Sequence, residues 1–206
     1  MIIKICGITE ENQAKEISQL GADYIGVVLY QKSPRFIPLE KVKKIKNSIS
    51  DKTKLVAVVV NSSEEEIKEI LKIADIVQLH GDEDINFVKK FPKNKVIKAL
   101  RIKDEEDIKK VEEFIKEGYI VLVDAYKEGE YGGTGKRINL ELLEKLKPFE
   151  KNIIISGGFS EENIGEILSI MKPFGIDASS KLEIKPGLKD IQKIKNFIKI
   201  ARELQN

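Results

Sequence analysis

Short runs of apolar, mainly β-branched residues recur along the chain, separated by longer stretches whose apolar positions have helical spacing. Eight of these runs have the length of β-strands. They span residues 2–6, 23–29, 54–60, 75–80, 95–100, 119–124, 152–156 and 175–179. The runs are continuously apolar rather than cleanly alternating, which is typical of parallel strands buried on both faces. The pattern therefore predicts eight buried, parallel strands.

The stretches between the runs carry the start signals of amphipathic helices. Ser63 and Glu66 form a candidate capping box, and Asp104 precedes an apolar stripe at helical spacing. The last stretch has a similar stripe, formed by Ile191, Ile194, Ile198 and Ala201. Residue types preferred at caps or in first turns occur at Thr9, Pro38, Asn139 and Ser160. A helix is therefore predicted after each strand.

An alternation of strands and helices requires a mostly parallel sheet covered by helices. Two architectures satisfy it, an open doubly wound sheet and a closed (β/α)8 barrel. Eight strands with a helix after the last one favour the barrel, and the first turn, "CGIT", lacks the glycine pattern of a dinucleotide-binding sheet. We therefore expect residues 1–206 to form one α/β domain, a single (β/α)8 TIM barrel.

Charge and cysteine content narrow the classes of partner. The 36 Lys and Arg residues nearly balance the 34 Asp and Glu residues, which argues against a dedicated nucleic-acid surface. A single cysteine cannot form an internal disulfide, so we expect a reducing, cytoplasmic setting. Apolar runs such as "LVAVVV" are too short to span a bilayer, so no membrane partner is expected.

Candidate chemistry is concentrated where the predicted strands end. Active sites of (β/α)8 barrels lie at the C-terminal ends of the strands and in the loops that follow them. Reading these ends places Cys6, Arg35, His80, Asp124 and Asp177 on one rim. The only cysteine and the only histidine of the chain both fall there. This concentration predicts an active site.

Taken singly, each of these residues also has a structural explanation. A lone cysteine is usually a small buried apolar residue, and His80 could be a hydrogen-bonded core imidazole. Asp124 follows the apolar run "IVLV", where a carboxylate without a partner is costly to bury, so a function is favoured. Arg35 lies in the loop "SPR", from which a guanidinium can grip a carboxylate or phosphate with two hydrogen bonds.

Two glycine-rich loops indicate a bound anion. "YGGTGKR" follows the sixth strand, and "SGGFSEEN" joins the seventh strand to its helix. Glycine allows backbone N–H groups to approach an anion, and many barrels bind phosphate in the loops after strands 7 and 8. "SGGFS" and "DASS" occupy those two loops. "YGGTGK" lacks the spacing of a Walker A loop, so a nucleotide hydrolase is rejected.

Several motifs occur in an order that makes a family recognisable. "KICGIT", "SPRF", "QLHGDE", "VLVDAY", "GGTGK", "ISGGFSEENI" and "GIDASSKLE" follow one another between residues 4 and 183. Together they resemble the phosphoribosylanthranilate isomerases of tryptophan biosynthesis, over essentially the whole chain. The resemblance implies a (β/α)8 barrel that carries out an Amadori rearrangement of a small phosphosugar, converting an aminoaldose to an aminoketose without a metal or an organic cofactor.

The same resemblance implies roles for individual residues. Cys6 matches the general base and Asp124 the general acid, on strands 1 and 6, which we expect on opposite sides of the ring. Arg35 is implied to face the anthranilate carboxylate, while His80 and Asp177 contact the substrate or shape its site. The implied phosphate-binding residues are Gly157, Gly158, Ser179 and Ser180, with Gly132 and Gly133 closing the rim.

The chain departs from the family pattern at two places. Arg137, Ile138 and Asn139 follow "GGTGK", where a small residue, Phe and Asp are frequent. Asn139 can still cap a helix as Asp would. Lys181 follows "DASS", where glycine is common, which puts the shape of that loop in doubt.

Other readings of the same residues stay open. Other phosphosugar barrels share the phosphate loops, but an indole-glycerol-phosphate synthase is expected to use lysines, and the familiar epimerases need several metal ligands. A non-catalytic phosphosugar-binding barrel has no need of both Cys6 and Asp124. A metal site formed by Cys6, His80 and Asp124 would join strands spread around the rim. The oligomeric state is left as monomer or homodimer.

Overall fold

A computed structural model describes residues 1–125 and 139–205 of the chain. Eight parallel strands form a closed barrel in the order of the sequence, and β8 pairs with β1. The strands are β1 (Ile2–Cys6), β2 (Tyr24–Val28), β3 (Lys54–Val59), β4 (Ile76–Leu79), β5 (Val96–Ile102), β6 (Ile120–Ala125), β7 (Ile153–Ser156) and β8 (Gly175–Ala178). The predicted (β/α)8 barrel is confirmed.

Helices alternate with the strands. They are α1 (Glu11–Gln19), α2 (Leu39–Ser48), α3 (Glu64–Ile70), α4 (Ile85–Val88), α5 (Glu105–Lys116), α6 (Leu140–Leu146), α7 (Ile164–Ile170) and α8 (Ile191–Glu203). Short 3-10 turns span Lys93–Lys95, Lys147–Asn152 and Ser180–Leu182. A two-stranded hairpin, β9 (Glu183–Lys185) and β10 (Leu188–Lys189), lies between β8 and α8 and had no counterpart in the sequence prediction. None of the described helices has the length and apolarity that crossing a bilayer requires.

Three of the predicted helix starts are confirmed by their hydrogen bonds. The Ser63 hydroxyl accepts from the Glu66 N–H while the Glu66 carboxylate accepts from the Ser63 N–H, which completes the capping box of α3. Asp104 caps α5 and Asn139 caps α6 through their side-chain oxygens. Each cap provides an acceptor for an N–H group that has no partner inside the helix.

Two other predicted caps are wrong, and Pro38 lies one residue before α2. Thr9 precedes the N-cap of α1, and its hydroxyl donates instead to the Gly187 carbonyl at 2.6 Å. Ser160 begins a turn in which its N–H donates to the Asn163 side chain, so α7 starts only at Ile164. Both residue types are common at N-caps, but the Thr9 hydroxyl makes a tertiary contact and Ser160 belongs to a turn that precedes the helix.

The barrel interior is apolar at its base and polar at its mouth. Inward-facing residues near the N-terminal ends of the strands form a dry cluster of Val56, Ile76, Ile97, Ala99, Leu122 and Ile154. The outward-facing residues pack against the helices in one continuous core. The strands are therefore buried on both faces, as their continuous apolar runs indicated. Towards the C-terminal ends, the inward positions change to Lys4, Gln78 and Asp177, which begin the site.

Candidate active site

The C-terminal ends of the strands surround a pocket that opens to solvent. Its walls include the predicted catalytic and substrate-binding side chains of Cys6, Arg35, His80, Asp124 and Asp177. The two predicted phosphate loops line the same cavity with Gly157, Gly158, Ser179 and Ser180. Gly132 and Gly133 belong to residues 126–138 and lie outside the described residues. Every predicted site residue that the structure describes therefore reaches one pocket.

Strand periodicity explains why these side chains meet. Residues two apart on a strand share a face, so Cys6 follows Lys4 and His80 follows Gln78 on the inner wall. Asp124 lies on β6, which is separated from β1 by β7 and β8. In an eight-stranded ring the strand opposite β1 is β5, so the expectation that Cys6 and Asp124 lie on opposite sides is corrected. They occupy two walls of one pocket, three strands apart.

The Cys6 thiol lies in a tight and buried position. It is opposite Gly26 of β2, and a Cβ atom on Gly26 would lie only 2.6 Å from the Cys6 sulfur. Burial raises the pKa of the Cys6 thiol above its usual range, and nearby Asp177 also raises it, while Lys4 and Lys189 oppose the increase. The free protein therefore holds Cys6 as a thiol at neutral pH.

A buried ion pair below Cys6 escaped the sequence analysis. The Lys4 ammonium donates to Asp177 Oδ1 at 2.8 Å, and the Ser156 hydroxyl donates to Asp177 Oδ2 at 3.1 Å. Lys4 has no exposed surface, and burial disfavours its charge, yet Asp177 and Cys6 together raise its pKa. The one signal in the sequence was a lysine inside the apolar run "IIKIC". Asp177 lines the pocket with both carboxylate oxygens already hydrogen-bonded.

His80 is a neutral imidazole. Burial lowers its pKa to about 3, and the cations Lys4, Lys98 and Arg101 add to the effect. With the amide orientation of the structure, Gln78 donates to Nδ1 at 2.9 Å, which leaves the ring proton on Nε2. Nε2 is 3.9 Å from Asp124 Oδ2. A neutral ring at that distance makes no ion pair with the carboxyl group.

Two buried polar atoms on β4 are available to a ligand. Within the described part of the chain, His80 Nε2 and Gln78 Oε1 are the buried side-chain atoms without a hydrogen-bond partner. Both residues line the cavity. Buried polar atoms normally have a partner, so this N–H donor and this carbonyl acceptor are both open to a polar group that enters the pocket.

The Arg35 guanidinium is held in place by a carboxylate from the β9–β10 hairpin. Its Nε and Nη2 atoms donate to the two oxygens of Glu183 at 2.8 and 2.7 Å. Lys189 donates to the same carboxylate at 2.8 Å and to the Ser179 carbonyl at 3.2 Å. Sequence reasoning missed Glu183 and Lys189 because the hairpin that carries them was not predicted. Gly7, with φ of 81°, permits the close approach of Arg35, because a Cβ there would lie 2.5 Å from Arg35 Cδ.

The loops after β7 and β8 have the conformation of an anion site. Gly157 and Gly158 have φ of 104° and 65°, which only glycine adopts readily. Asn163 donates to the Gly158 carbonyl at 2.7 Å and fixes the loop. Lys181, the departure from the family pattern, lines the cavity beside Ser180 and adds a cation to this end. In residues 1–125 and 139–205, no group of three His, Cys, Asp or Glu side chains is arranged to hold a metal ion.

Fold and site together define a (β/α)8-barrel enzyme with a carboxyl group, a thiol and an anion-binding end in one pocket. The sequence model of the family "N-(5'phosphoribosyl)anthranilate (PRA) isomerase" matches residues 3–200. A relative of that name from Sulfurihydrogenibium sp. (strain YO3AOP1) is 57% identical over 202 residues, covering 98% of this chain and 99% of the relative.

Solved structures agree with the sequence match. A phosphoribosyl anthranilate isomerase in complex with reduced 1-(o-carboxyphenylamino)-1-deoxyribulose 5-phosphate superimposes with a TM-score of 0.85 at 30% identity, covering 98% of this chain and 100% of that one. A structure of monomers generated from the dimeric enzyme of Thermotoga maritima gives 0.87 at 31% identity, with the same coverage. The chain belongs to the N-(5'-phosphoribosyl)anthranilate isomerase family. It is an aldose–ketose isomerase of tryptophan biosynthesis.

Replacing Gly26 by Ala is expected to displace the Cys6 thiol. The new methyl group would lie 2.6 Å from the sulfur and 3.0 Å from the Cys6 Cα atom, so the side chain or the β1–β2 pair must shift. Because a displacement of about 1 Å can reduce a rate by about 10²-fold, we expect kcat to fall by about 10- to 100-fold. Steady-state kinetics of the isomerisation measures this effect.

Gly165→Ala is the matched control, since a Cβ at Gly165 of α7 would meet no atom within 4 Å. It is expected to keep the wild-type kcat and to gain stability of up to about 1 kcal/mol from helix propensity. A folded Gly26→Ala enzyme with wild-type kcat would show that the packing against Cys6 has no effect on the rate.

The pKa of His80 predicts a pH dependence that NMR can follow in a protein with one histidine. The imidazole resonances of the folded protein are expected to stay unchanged from pH 8 to pH 4.5, because the pKa is lowered to about 3. In urea the same resonances should titrate near pH 6.5. A folded-state midpoint above pH 5.5 would contradict the neutral imidazole.

The same pKa difference sets the sign of a stability change. Between pH 6.5 and about 3 the unfolded chain binds the extra proton at His80, whereas the folded protein does not. The contribution of neutral His80 to the free energy of unfolding is therefore complete above pH 6.5. It is lost as the pH falls, by about 1.4 kcal/mol for each pH unit. Urea unfolding at pH 7 and pH 5, compared between wild type and His80→Gln, isolates this contribution.

Proposed function

We propose that Cys6 and Asp124 carry out the Amadori rearrangement of N-(5'-phosphoribosyl)anthranilate to 1-(o-carboxyphenylamino)-1-deoxyribulose 5-phosphate, without a metal or an organic cofactor. The observation that supports this assignment is the presence of a thiol and a buried carboxyl group on two walls of one pocket, between an anion-binding end and a fixed guanidinium. The reaction needs an acid at the sugar ring oxygen and a base at C2.

Binding energy remote from the reacting atoms orients the substrate. The phosphate is held by the loops of Gly157, Gly158, Ser179 and Ser180, with Gly132 and Gly133 closing the rim in the family pattern. Arg35 receives the anthranilate carboxylate, using guanidinium N–H groups that Glu183 does not occupy. Anchoring both ends fixes the ribose between Cys6 and Asp124, which converts binding energy into correct orientation.

The first step opens the sugar ring. Asp124 donates its proton to the furanose oxygen, the C1–O bond breaks, and the nitrogen lone pair forms an iminium at C1. His80 contributes by being neutral, because an imidazolium beside Asp124 would favour the deprotonated carboxylate and weaken the acid. Its Nε2–H donor is also placed to bind a substrate oxygen. Asp177, with Lys4 and Ser156, shapes the wall next to the substrate.

The second step removes a proton from C2. The Cys6 thiolate takes this proton, the C–H electron pair forms the C1–C2 double bond, and the iminium becomes a neutral enolamine. Tautomerisation of the enolamine gives the ketone. Only the thiolate can act as the base, and burial raises the pKa of the Cys6 thiol, so the cations around it are needed for the reaction.

The remaining expectations concern the setting of the enzyme. We propose that residues 1–206 act as one barrel domain in the cytoplasm, where a reactive free thiol is kept reduced. A monomer or a homodimer is expected, and light scattering resolves the two. The dimeric state of the Thermotoga maritima relative is a reason to measure it. No nucleic-acid or membrane partner is proposed.

Separate substitutions test the acid and the base. Cys6→Ala and Asp124→Asn are each expected to lower kcat by about 10²-fold or more, the usual effect of losing a general acid or base. Affinity for reduced 1-(o-carboxyphenylamino)-1-deoxyribulose 5-phosphate, measured by calorimetry, should stay close to wild type. Asp82→Asn is the control, since it removes an exposed rim carboxylate. Wild-type turnover is expected to survive EDTA treatment.

Other results would favour other functions. Tight binding of the reduced product without turnover by the wild type would identify a non-catalytic phosphosugar-binding barrel. Loss of affinity with unchanged kcat in either variant would mean that Cys6 or Asp124 binds substrate and transfers no proton. Inactivation by EDTA, with recovery on adding a metal, would overturn the cofactor-free reaction.

Arg35→Gln tests the position of the anthranilate carboxylate. Loss of a charged hydrogen bond, about 1.5–3 kcal/mol, should raise KM by about 10- to 100-fold with a smaller effect on kcat. The penalty should disappear for an N-phosphoribosyl aniline substrate, which lacks the carboxylate. An equal penalty on both substrates would show that Arg35 acts on the fold of the pocket and does not contact the carboxylate.

A further inference from the structure

Lys4 is a charged residue in a position where an apolar one would be expected. Its side chain has no exposed surface, and it lies in the middle of β1, inside the barrel. Its ammonium is 2.8 Å from Asp177 Oδ1. A buried ion pair of this kind often gives no more stability than well-packed apolar residues, because both ions lose their hydration. The stability of the barrel therefore does not explain why the pair is there.

The position of Lys4 relative to Cys6 suggests a chemical reason. The two residues are two apart on β1, so both point into the barrel, with Lys4 one layer below Cys6. Asp177 is the register partner of Lys4 on β8. The ammonium donates to the Asp177 carboxylate and lies on the same inner face of β1 as the Cys6 thiol, which also raises the pKa of Lys4.

We propose that Lys4 is a positioning residue for the isomerisation: its fixed positive charge, held in place by Asp177, stabilises the thiolate form of Cys6. This proposal rests on the role of Cys6 as the general base. The Cys6 thiol, which is the form that the free protein holds at neutral pH, loses its proton to solvent before the C2 step, and the resulting thiolate accepts the C2 proton of the substrate. Lys4 keeps its own proton throughout and forms no bond to the substrate.

Lys4 is the cation that lowers the pKa of the Cys6 thiol most, and Lys189 lowers it less. Lys189 reaches the region from β10 and Arg35 from the loop after β2, and both donate to the Glu183 carboxylate, which offsets one of their two positive charges. The neighbour on β2 is Gly26, which has no side chain. Lys4 is thus the cation on the same strand as the thiol. Lys4 lowers the pKa of the Cys6 thiol and Asp177 raises it, so the position of these two charges affects how easily the thiolate forms.

Alkylation of the only cysteine measures this effect without any turnover. The rate of reaction with iodoacetamide, followed from pH 6 to pH 11, gives the midpoint of thiol ionisation. Lys4→Met should move this midpoint upward by about one pH unit or more, since an opposite charge within a few ångströms shifts a pKa by about 1–3. The acidic limb of the kcat/KM profile should move in the same direction.

Lys98→Met is the matched control. Lys98 is also a buried lysine paired with a carboxylate, Glu83, at 2.6 Å, but it lies on β5 and points away from the barrel interior. Its removal should leave the Cys6 midpoint unchanged. Lys4→Gln, which retains an N–H donor for Asp177, is the second variant if Lys4→Met does not fold, and the same upward shift is expected.

The direction of the shift separates this role from a structural one. A barrel loosened by the substitution would expose the thiol, so its midpoint would approach that of the urea-unfolded chain, near pH 8.5. An unchanged or lowered midpoint in a folded Lys4 variant overturns the proposal. Alkylation needs no substrate, so an upward shift in the Lys4 variant would support the proposed charge effect whatever the isomerase activity. If the wild type itself showed no isomerase activity, the role of Cys6 as base would be refuted separately.

Discussion

Burying a charge inside an apolar barrel costs several kcal/mol unless an opposite charge lies within hydrogen-bond distance, and this constraint shapes the mouth of the barrel. Lys4 is paired with Asp177, Arg35 and Lys189 share Glu183, and Lys98 is paired with Glu83 beneath the β4–α4 loop. The contacts of Lys4 with Asp177 and of Arg35 with Glu183 join elements that are distant in sequence. The Lys4–Asp177 pair therefore neutralises buried charge at the site and also joins β1 to β8, the two strands that close the barrel.

The barrel itself was predictable because its rules are local and repeated. A continuously apolar run bounded by helix starts has few alternatives, and the capping box of Ser63 and Glu66 is contained within four residues. The predicted helix start at Thr9 is wrong because the hydrogen-bond partner of its side chain is distant in sequence. Thr9 is a residue type common at N-caps, but its hydroxyl donates a hydrogen bond to the Gly187 carbonyl, which lies far along the chain. No local pattern contains that information.

The candidate site was predictable to the extent that strand ends define it. Cys6, His80 and Asp124 could be placed on one rim by counting strands. Their environment could not be predicted, because Glu183 and Lys189 lie on a short hairpin, residues 183–189, whose strands of three and two residues have no periodicity to detect. The protonation of His80 depends on burial and on three cations from two other strands, β1 and β5. The combined effect of such distant charges on a pKa can be worked out only from the three-dimensional structure.

The contact between Arg35 and Glu183 spans 148 residues, and the contact of Lys4 on β1 with Asp177 on β8 spans 173. A growing chain on the ribosome that has not yet released β8 and the following hairpin therefore lacks both the fixed guanidinium and the partner of Lys4. The pocket can form only after β8 and the following hairpin have been synthesised. A chain terminated before these elements would then lack the pocket that binds the phosphosugar, and it would sequester no metabolite.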